Sequence, residues 1–349
     1  MNLSWKRVSL PLKNPFTISR GTRRHQPSLI VSLSHGDLTG YGEATCHDYY
    51  GHRYETLEAS LEQIAKLVAD LDLILPEEFY ELCRREIPGD TFALSAVDCA
   101  AYDLYGKIHG LCTRELLNLT ETQSPFSSYT LGIDSIEEMV RKYREQPDWP
   151  IYKIKLGTTH DLEIVQALRH ETDAVIRVDA NCAWTPEQTI DYSHQMAELG
   201  VEFIEQPLAA SAPPEAHQKV FEESALPIIA DESCRIESDV EQCRGVFHGI
   251  NVKLSKCGGL TPAVRMLRQA NAWNMKTMVG CMIESSVGIS AAAQLLPLLD
   301  YADLDGAALL AHDPAQGVRI QNGRVSFNHH PGSGISLSPE FMASIELEG

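Results

Sequence analysis

The chain has 349 residues, 44% hydrophobic and 22% charged, which is an ordinary globular make-up and too long for one small core. Its formal net charge of −19 excludes a basic footprint for nucleic acid and disfavours anionic membranes, and no apolar run is long enough to span a bilayer. The nine cysteines form no CxxC pair and the N-terminus, Met1-Asn2-Leu3-Ser4-Trp5-Lys6, lacks a signal-peptide core, so a reducing cytoplasm is the expected location.

The first third reads as α+β. Residues 3–12, 29–33 and 40–43 are expected to form a meander of about three strands, with Gly36-Asp37 as a turn. Between the first two lies a polar stretch, residues 15–25, expected as a loop and carrying Arg20, Arg23 and Arg24. A second decorated loop, residues 46–54, holds His47, Tyr49, Tyr50, His52 and Arg53. It precedes a helix with Leu57, Leu61, Ile64 and Leu67 at helical spacing. Another helix is expected over 93–109, ended near Gly110.

From Tyr129 the pattern becomes a regular beat of strand and helix. Strands are expected at 129–133, 151–156, 175–180, 203–205, 227–230, 250–254, 277–281 and 302–305, with helices such as 136–145, 186–199 and 262–274 between them. Alternation at this spacing gives a parallel sheet, and about eight strands give a closed barrel. The tail returns to short strands that pack back on the N-terminal region. The expected division is an α+β capping domain at 1–122, a barrel at 123–315 and a C-terminal segment at 316–349.

A barrel of this kind carries its active site at the C-terminal strand ends. Lys153 and Lys155 end the second strand, Asp179 and Asn181 the third, Glu205 the fourth, Asp231 and Glu232 the fifth; Lys253 and Lys256 follow on the sixth. One such ending is commonly a helix cap. Five in consecutive strands are hard to explain as caps. Residues two apart on a strand share a face, so Lys153 and Lys155 would crowd two ammonium groups together and lower a lysine pKa. An edge-strand lysine pair that discourages aggregation is the alternative. Three converging carboxylates would repel without a cation, and hard oxygen ligands with no His or Cys nearby point to Mg2+ rather than zinc.

The run Lys153-Ile154-Lys155, Val178-Asp179-Ala180-Asn181, Ile204-Glu205-Gln206-Pro207, Ala230-Asp231-Glu232-Ser233 and Lys253-Leu254-Ser255-Lys256-Cys257-Gly258-Gly259 resembles the enolase superfamily, muconate-lactonizing subgroup. The resemblance implies an α/β fold: a modified TIM barrel, (β/α)7β, under a capping domain formed by the N-terminal third and the C-terminal tail. It implies that Asp179, Glu205 and Asp231 ligate Mg2+. It further implies that Lys155 and Lys253 are an acid/base pair on opposite faces of one carbon, with Lys153 lowering the pKa of Lys155. Asp303 and Asp305, in Tyr301-Ala302-Asp303-Leu304-Asp305-Gly306, resemble the pair that dipeptide epimerases use for a substrate's α-ammonium; a capping turn is the alternative. Arg23 matches the arginine that takes a glutamate side chain in Ala-Glu epimerases, and a solvated basic loop is the alternative. The stretch 46–54 departs from that type.

The expected activity is therefore Mg-dependent epimerisation of a small-molecule dipeptide, L-Ala-D/L-Glu for example, by 1,1-proton transfer through an enediolate. The protein is expected to be a homo-oligomer. The competing readings are an N-acylamino acid racemase, an o-succinylbenzoate synthase or cycloisomerase, and a metal-binding barrel scaffold without catalysis. Glu284 has no assigned role, and His194, His217 and His248 are expected at the surface.

Overall fold

A computed structural model describes residues 1–119 and 124–346, so the expected boundary between 122 and 123 lies outside the described residues. The chain starts with an antiparallel meander of β1 (Asn2–Ile18), β2 (Gly21–His35) and β3 (Leu38–Thr45). Residues 15–25 are not a loop but the far end of the β1–β2 hairpin, where Phe16 opposes Arg23, Thr17 opposes Thr22 and Ile18 opposes Gly21. A register shift between Pro11 and Phe16 separates this arm from the body of the sheet. Both faces of the arm are largely away from the core, so its polarity gave no strand alternation to read.

Residues 46–54 are also ordered by the backbone. His47 and His52 exchange hydrogen bonds of 2.8 and 3.1 Å around a short 3-10 turn at Asp48–Tyr50. Then come α1 (Tyr54–Val68), α2 (Pro76–Glu86), α3 (Thr91–His109) and the short α4 (Thr113–Leu116). Helix α1 buries Leu57, Leu61, Ile64 and Val68, while Leu67, expected on that face, is only half-buried. Burying each such side chain contributes roughly 1.5–3 kcal/mol. Helix α3 is capped at its start by Asp90, whose side chain accepts from the Ala93 amide, and ends at Gly110 with φ 68°. It lies flat on β3. A Cβ at Gly42 would stand 1.9 Å from the Ala96 carbonyl oxygen, so only glycine allows this approach.

Eight parallel strands follow: β4 (Tyr129–Leu131), β5 (Ile151–Lys155), β6 (Val175–Asp179), β7 (Val201–Glu205), β8 (Ile228–Ala230), β9 (Gly249–Val252), β10 (Lys276–Val279) and β11 (Tyr301–Ala302). They pair in chain order, and the parallel bridge from Ser127 to Ala302 closes the ring. The intervening helices are α5 (Ile136–Glu145), α6 (Asp161–Glu171), α7 (Pro186–Glu198), α8 (Pro214–Glu223), α9 (Asp239–Cys243), α10 (Leu254–Cys257), α11 (Leu260–Ala272) and α12 (Ser286–Ala293). The architecture is the modified (β/α)7β barrel with its antiparallel cap. Lys256 belongs to α10 rather than to a strand, because the chain turns helical directly after Lys253. Phe203, Ile229 and Met278 form a buried cluster with Tyr301 packed against it, and the Arg177 guanidinium stacks over Phe203 and Tyr301.

The tail adds β12 (Ala315–Gln316), β13 (Arg319–Gln321), β14 (Arg324–Ser326), β15 (Ser336–Leu337) and α13 (Pro339–Glu346). It reaches back to the N-terminal region: Gly332 exchanges backbone hydrogen bonds with Leu111 and Thr113, and the Ser333 amide donates to Asp103 at 2.8 Å. His194 is exposed as expected, whereas His217 and His248 are half-buried; His248 Nδ1 accepts from the Ile228 amide at 3.0 Å.

Candidate active site

Strand register aligns the first three charges. Lys155 on β5 pairs with Asp179 on β6, and Asp179 with Glu205 on β7, so their side chains leave the sheet on one side at one height. Asp231 stands one residue beyond β8. Carboxylate oxygens of Asp179, Glu205 and Asp231 lie within 4.8 Å of one another, and all three residues are buried. Lys155 Nζ donates to Asp179 Oδ2 at 2.6 Å, and Lys253 Nζ donates to Asp231 Oδ2 at 2.7 Å. Lys155 is on β5 and Lys253 directly follows β9, four strands away in an eight-stranded ring. The two ammonium groups therefore approach the carboxylates from opposite walls.

Lys153 is enclosed by carboxylates. Its ammonium is 1% exposed and lies 2.8 Å from both Asp303 Oδ2 and Glu205 Oε2, and 3.3 Å from Asp179 Oδ2. Burial alone would lower its pKa, but Asp303, then Glu205 and Asp179, outweigh burial and hold it well above the usual lysine value. The like-charge repulsion read from the Lys-Ile-Lys pattern is overridden by these anions. Burial pushes Glu205 up to about 7 against the pull of Lys153. Burial acts on Asp179 in the same sense, but Lys155 and Lys153 prevail and keep it below the ordinary carboxylate range.

The donor set fits a hard divalent cation. Glu205 Oε1 accepts from Asn251 Nδ2 at 2.9 Å, whereas buried Glu205 Oε2 has no hydrogen bond; Lys153 meets it as a neighbouring charge off the hydrogen-bonding direction. Three carboxylate oxygens around one point, without histidine or cysteine, suit Mg2+.

Asp303 and Asp305 sit just past β11, buried at the seam of the barrel. Asp303 Oδ1 accepts from Ser128 Oγ at 2.5 Å, and Asp305 accepts from the Thr130 amide at 2.6 Å and from Thr130 Oγ1 at 3.2 Å. Neither carboxylate caps the 3-10 helix that follows, so the capping-turn alternative is not what the side chains do. Burial, with Asp303 alongside, pushes Asp305 up to about 7.

A cavity of about 500 Å3 opens above these groups, and both decorated stretches of the cap line it. Arg23, Arg20, His47, Tyr49 and Tyr50 meet Lys155, Lys253, Asp303 and Asp305 there. Arg23 reaches the cavity but is already engaged, with Nη1 donating to Gln26 Oε1 at 3.1 Å and to the Cys46 carbonyl at 3.4 Å, and Nη2 lying 3.8 Å from Asp48.

The sequence matches the mandelate racemase / muconate lactonizing enzyme N-terminal domain over residues 2–118 and the enolase C-terminal domain-like family over residues 135–341. The chain belongs to this family. It is 50% identical to the L-Ala-D/L-amino acid epimerase of Flavobacterium johnsoniae, over 97% of this chain and 100% of that one. It is 36% identical to the L-Ala-D/L-Glu epimerase of Bacteroides thetaiotaomicron, over 96% of this chain and 88% of the relative. Among solved structures, the dipeptide epimerase from Cytophaga hutchinsonii complexed with Mg and D-Ala-L-Val superimposes with a TM-score of 0.93 at 26% identity, covering 98% of this chain and 97% of that one.

Several residues that brace this family site had no role assigned from the sequence. Gln206, forced to φ 33°, ties two strand ends together: Oε1 accepts from the Asp231 and Ser233 amides, and Nε2 donates to Ser233 Oγ and the Leu208 carbonyl. Buried Lys256 donates to Asp231 Oδ1 at 2.5 Å and to three backbone carbonyls. Lys256 was visible as an ionisable residue; its partners were not. Ser128, Thr130 and Asn251 carried no signal at all, since Thr130 and Asn251 are polar residues at ordinary strand positions and Ser128 stands just before β4.

Proposed function

We propose that the protein is a dipeptide epimerase that inverts the α-carbon of the C-terminal residue of L-Ala-D/L-amino acid dipeptides, L-Ala-D/L-Glu among them. The observation that carries this reading is the placement of Lys155 and Lys253 on opposite walls, each within hydrogen-bond reach of a carboxylate of one buried acidic triad. In this proposal one lysine removes the α-proton and the other delivers a proton to the opposite face, giving 1,1-proton transfer through an enediolate. Asp179, Glu205 and Asp231 would hold Mg2+, which supplies positive charge against the second negative charge that develops on the substrate carboxylate.

Asp303 and Asp305 take the dipeptide's ammonium group in this reading, and Arg23, engaged by Gln26, the Cys46 carbonyl and Asp48, lines the side-chain space. Lys153 keeps Asp179 and Asp303 ionised and in place. Cytoplasmic location is supported by nine cysteines that are all free, and no helix among the described residues is long and apolar enough to cross a membrane. A homo-oligomer belongs to the same proposal. So does the division at 1–122, 123–315 and 316–349, supported by a cap core around α1 and α3 distinct from the barrel core.

The test is a panel of dipeptides and their N-acetylated forms, incubated in D2O with Mg2+ and followed by mass for α-proton exchange. Exchange with inversion in free dipeptides supports the proposal. Exchange confined to N-acylated substrates would point to an N-acylamino acid racemase instead.

A further inference from the structure

Resting on the dipeptide epimerase reading, we infer that the cap loop around His47, Tyr49 and Tyr50 forms an aromatic wall that selects an uncharged aromatic side chain on the residue being epimerised, in preference to a carboxylate. The wall is built before any substrate arrives. The Tyr49 and Tyr50 rings meet edge-to-face with centroids 4.9 Å apart, His47 packs on Tyr50 at 4.9 Å, and Tyr50 leans on Phe92 at 5.5 Å. The His47–His52 backbone pair fixes the turn that presents them. All three line the cavity together with Lys155, Lys253 and Asp231.

A carboxylate in this space needs a free cation, and neither Arg20 nor Arg23, the two arginines that line the cavity, is free. Arg20 donates to Glu232 Oε1 at 2.7 Å and lies 4.5 Å over the Tyr49 ring, and Arg23 is shared among Gln26, the Cys46 carbonyl and Asp48. The cap loop offers aromatic surface and one imidazole, beside apolar side chains such as Ile18, Met282 and Ile283. Burial, then Arg23, Lys253 and Arg20, hold His47 neutral with a pKa of about 3, and its Nδ1 has no partner. An additional ring packed against such a wall gains from edge-to-face contact, whereas a carboxylate pays desolvation without a matching cation.

The experiment compares kcat/KM for L-Ala-L-Phe, L-Ala-L-Glu and L-Ala-L-Ala with Mg2+, on the wild type and on Tyr49→Ala and Asp48→Asn. Tyr49 is 49% exposed, so its truncation leaves the core intact. The expected result is that the wild type prefers the Phe dipeptide over the Glu dipeptide by about tenfold. Tyr49→Ala should lose most of that preference through KM. Asp48→Asn, which releases Arg23 from its anion, should raise the Glu dipeptide's rate several-fold. A wild type that handles the Glu dipeptide as well as or better than the Phe dipeptide overturns the selective wall and leaves the epimerase reading standing. Absence of exchange with all three dipeptides, L-Ala-L-Ala included, overturns both.

Discussion

Lys153 Nζ donates to Asp303 Oδ2 at 2.8 Å, joining β5 to the end of β11 across the seam where the barrel closes. The charge count at the seam follows from this bond. Asp303 and Asp305 together bring two carboxyl groups, and Lys153, shared with Glu205 and Asp179, does not offset both, leaving room for a further cation beside Ser128 and Thr130. The proposed ammonium of a dipeptide is one such cation, and an N-acylated substrate has none to offer.

Asp303→Ala and Asp305→Ala are therefore expected to erase discrimination between a free dipeptide and its N-acetyl form. Removing one partner of a buried charge pair costs about 3–5 kcal/mol, or two to four decades in kcat/KM for the free dipeptide. Asp303→Ala should also lower thermal stability, because Lys153 then loses one of its anions; Asp305, bound only to Thr130 groups, should cost less. Equal rates for free and acetylated dipeptides in the wild type would remove the ammonium role.

Lys155→Ala and Lys253→Ala should each abolish epimerisation. The two variants should retain α-proton exchange for opposite diastereomers, since each lysine stands on its own wall. Proton NMR in D2O resolves the two cases, and near wild-type interconversion in either variant refutes a two-base arrangement.

Asp231→Asn should lose Mg2+ binding. Titration of the wild type with Mg2+ should raise its melting temperature, by mass action about 2.7 kcal/mol at a hundredfold excess over Kd, and the variant should show no such rise. Thermal shift and calorimetry read this without any turnover. A Mg2+-dependent rise of equal size in Asp231→Asn would take this residue out of the ligand set.

Stability should fall as pH rises from about 5 to 8. Glu43 on β3 and Glu284 after β10 are fully buried neighbours, and burial pushes Glu43 up to about 7 and Glu284 up to about 8. Their carboxyls bind protons in the folded state that the unfolded chain has already released, so the stabilisation present below the ordinary glutamate pKa is lost as pH climbs through the raised values. The size is on the order of a few kcal/mol. Glu284→Gln should flatten the decline in melting temperature over that window; an unchanged slope would show that the carboxyl does not titrate there. A Cβ at Gly288 would stand 2.0 Å from Glu284 Oε2, so Gly288→Ala should disturb the same contact.

Local pattern determined the alternation that builds the barrel and the charged residues at its strand ends, because strand periodicity and helix spacing are properties of neighbouring residues. Lys155, Asp179, Glu205 and Asp231 could be found that way, as could Lys253. Their convergence followed once the strands were known to lie in chain order. The hairpin arm at 15–25 was not legible, since a solvated arm has no buried face to write alternation into the sequence. The partners of Lys153 were not legible either: Asp303, 150 residues away, and Glu205 hold its ammonium charged against burial. The same holds for Arg23, whose partners Gln26, Cys46 and Asp48 gather only when the β1–β2 arm and the turn after β3 fold over the barrel mouth. Charge interactions are set by distance in space, and closing the ring between β11 and β4 sets those distances.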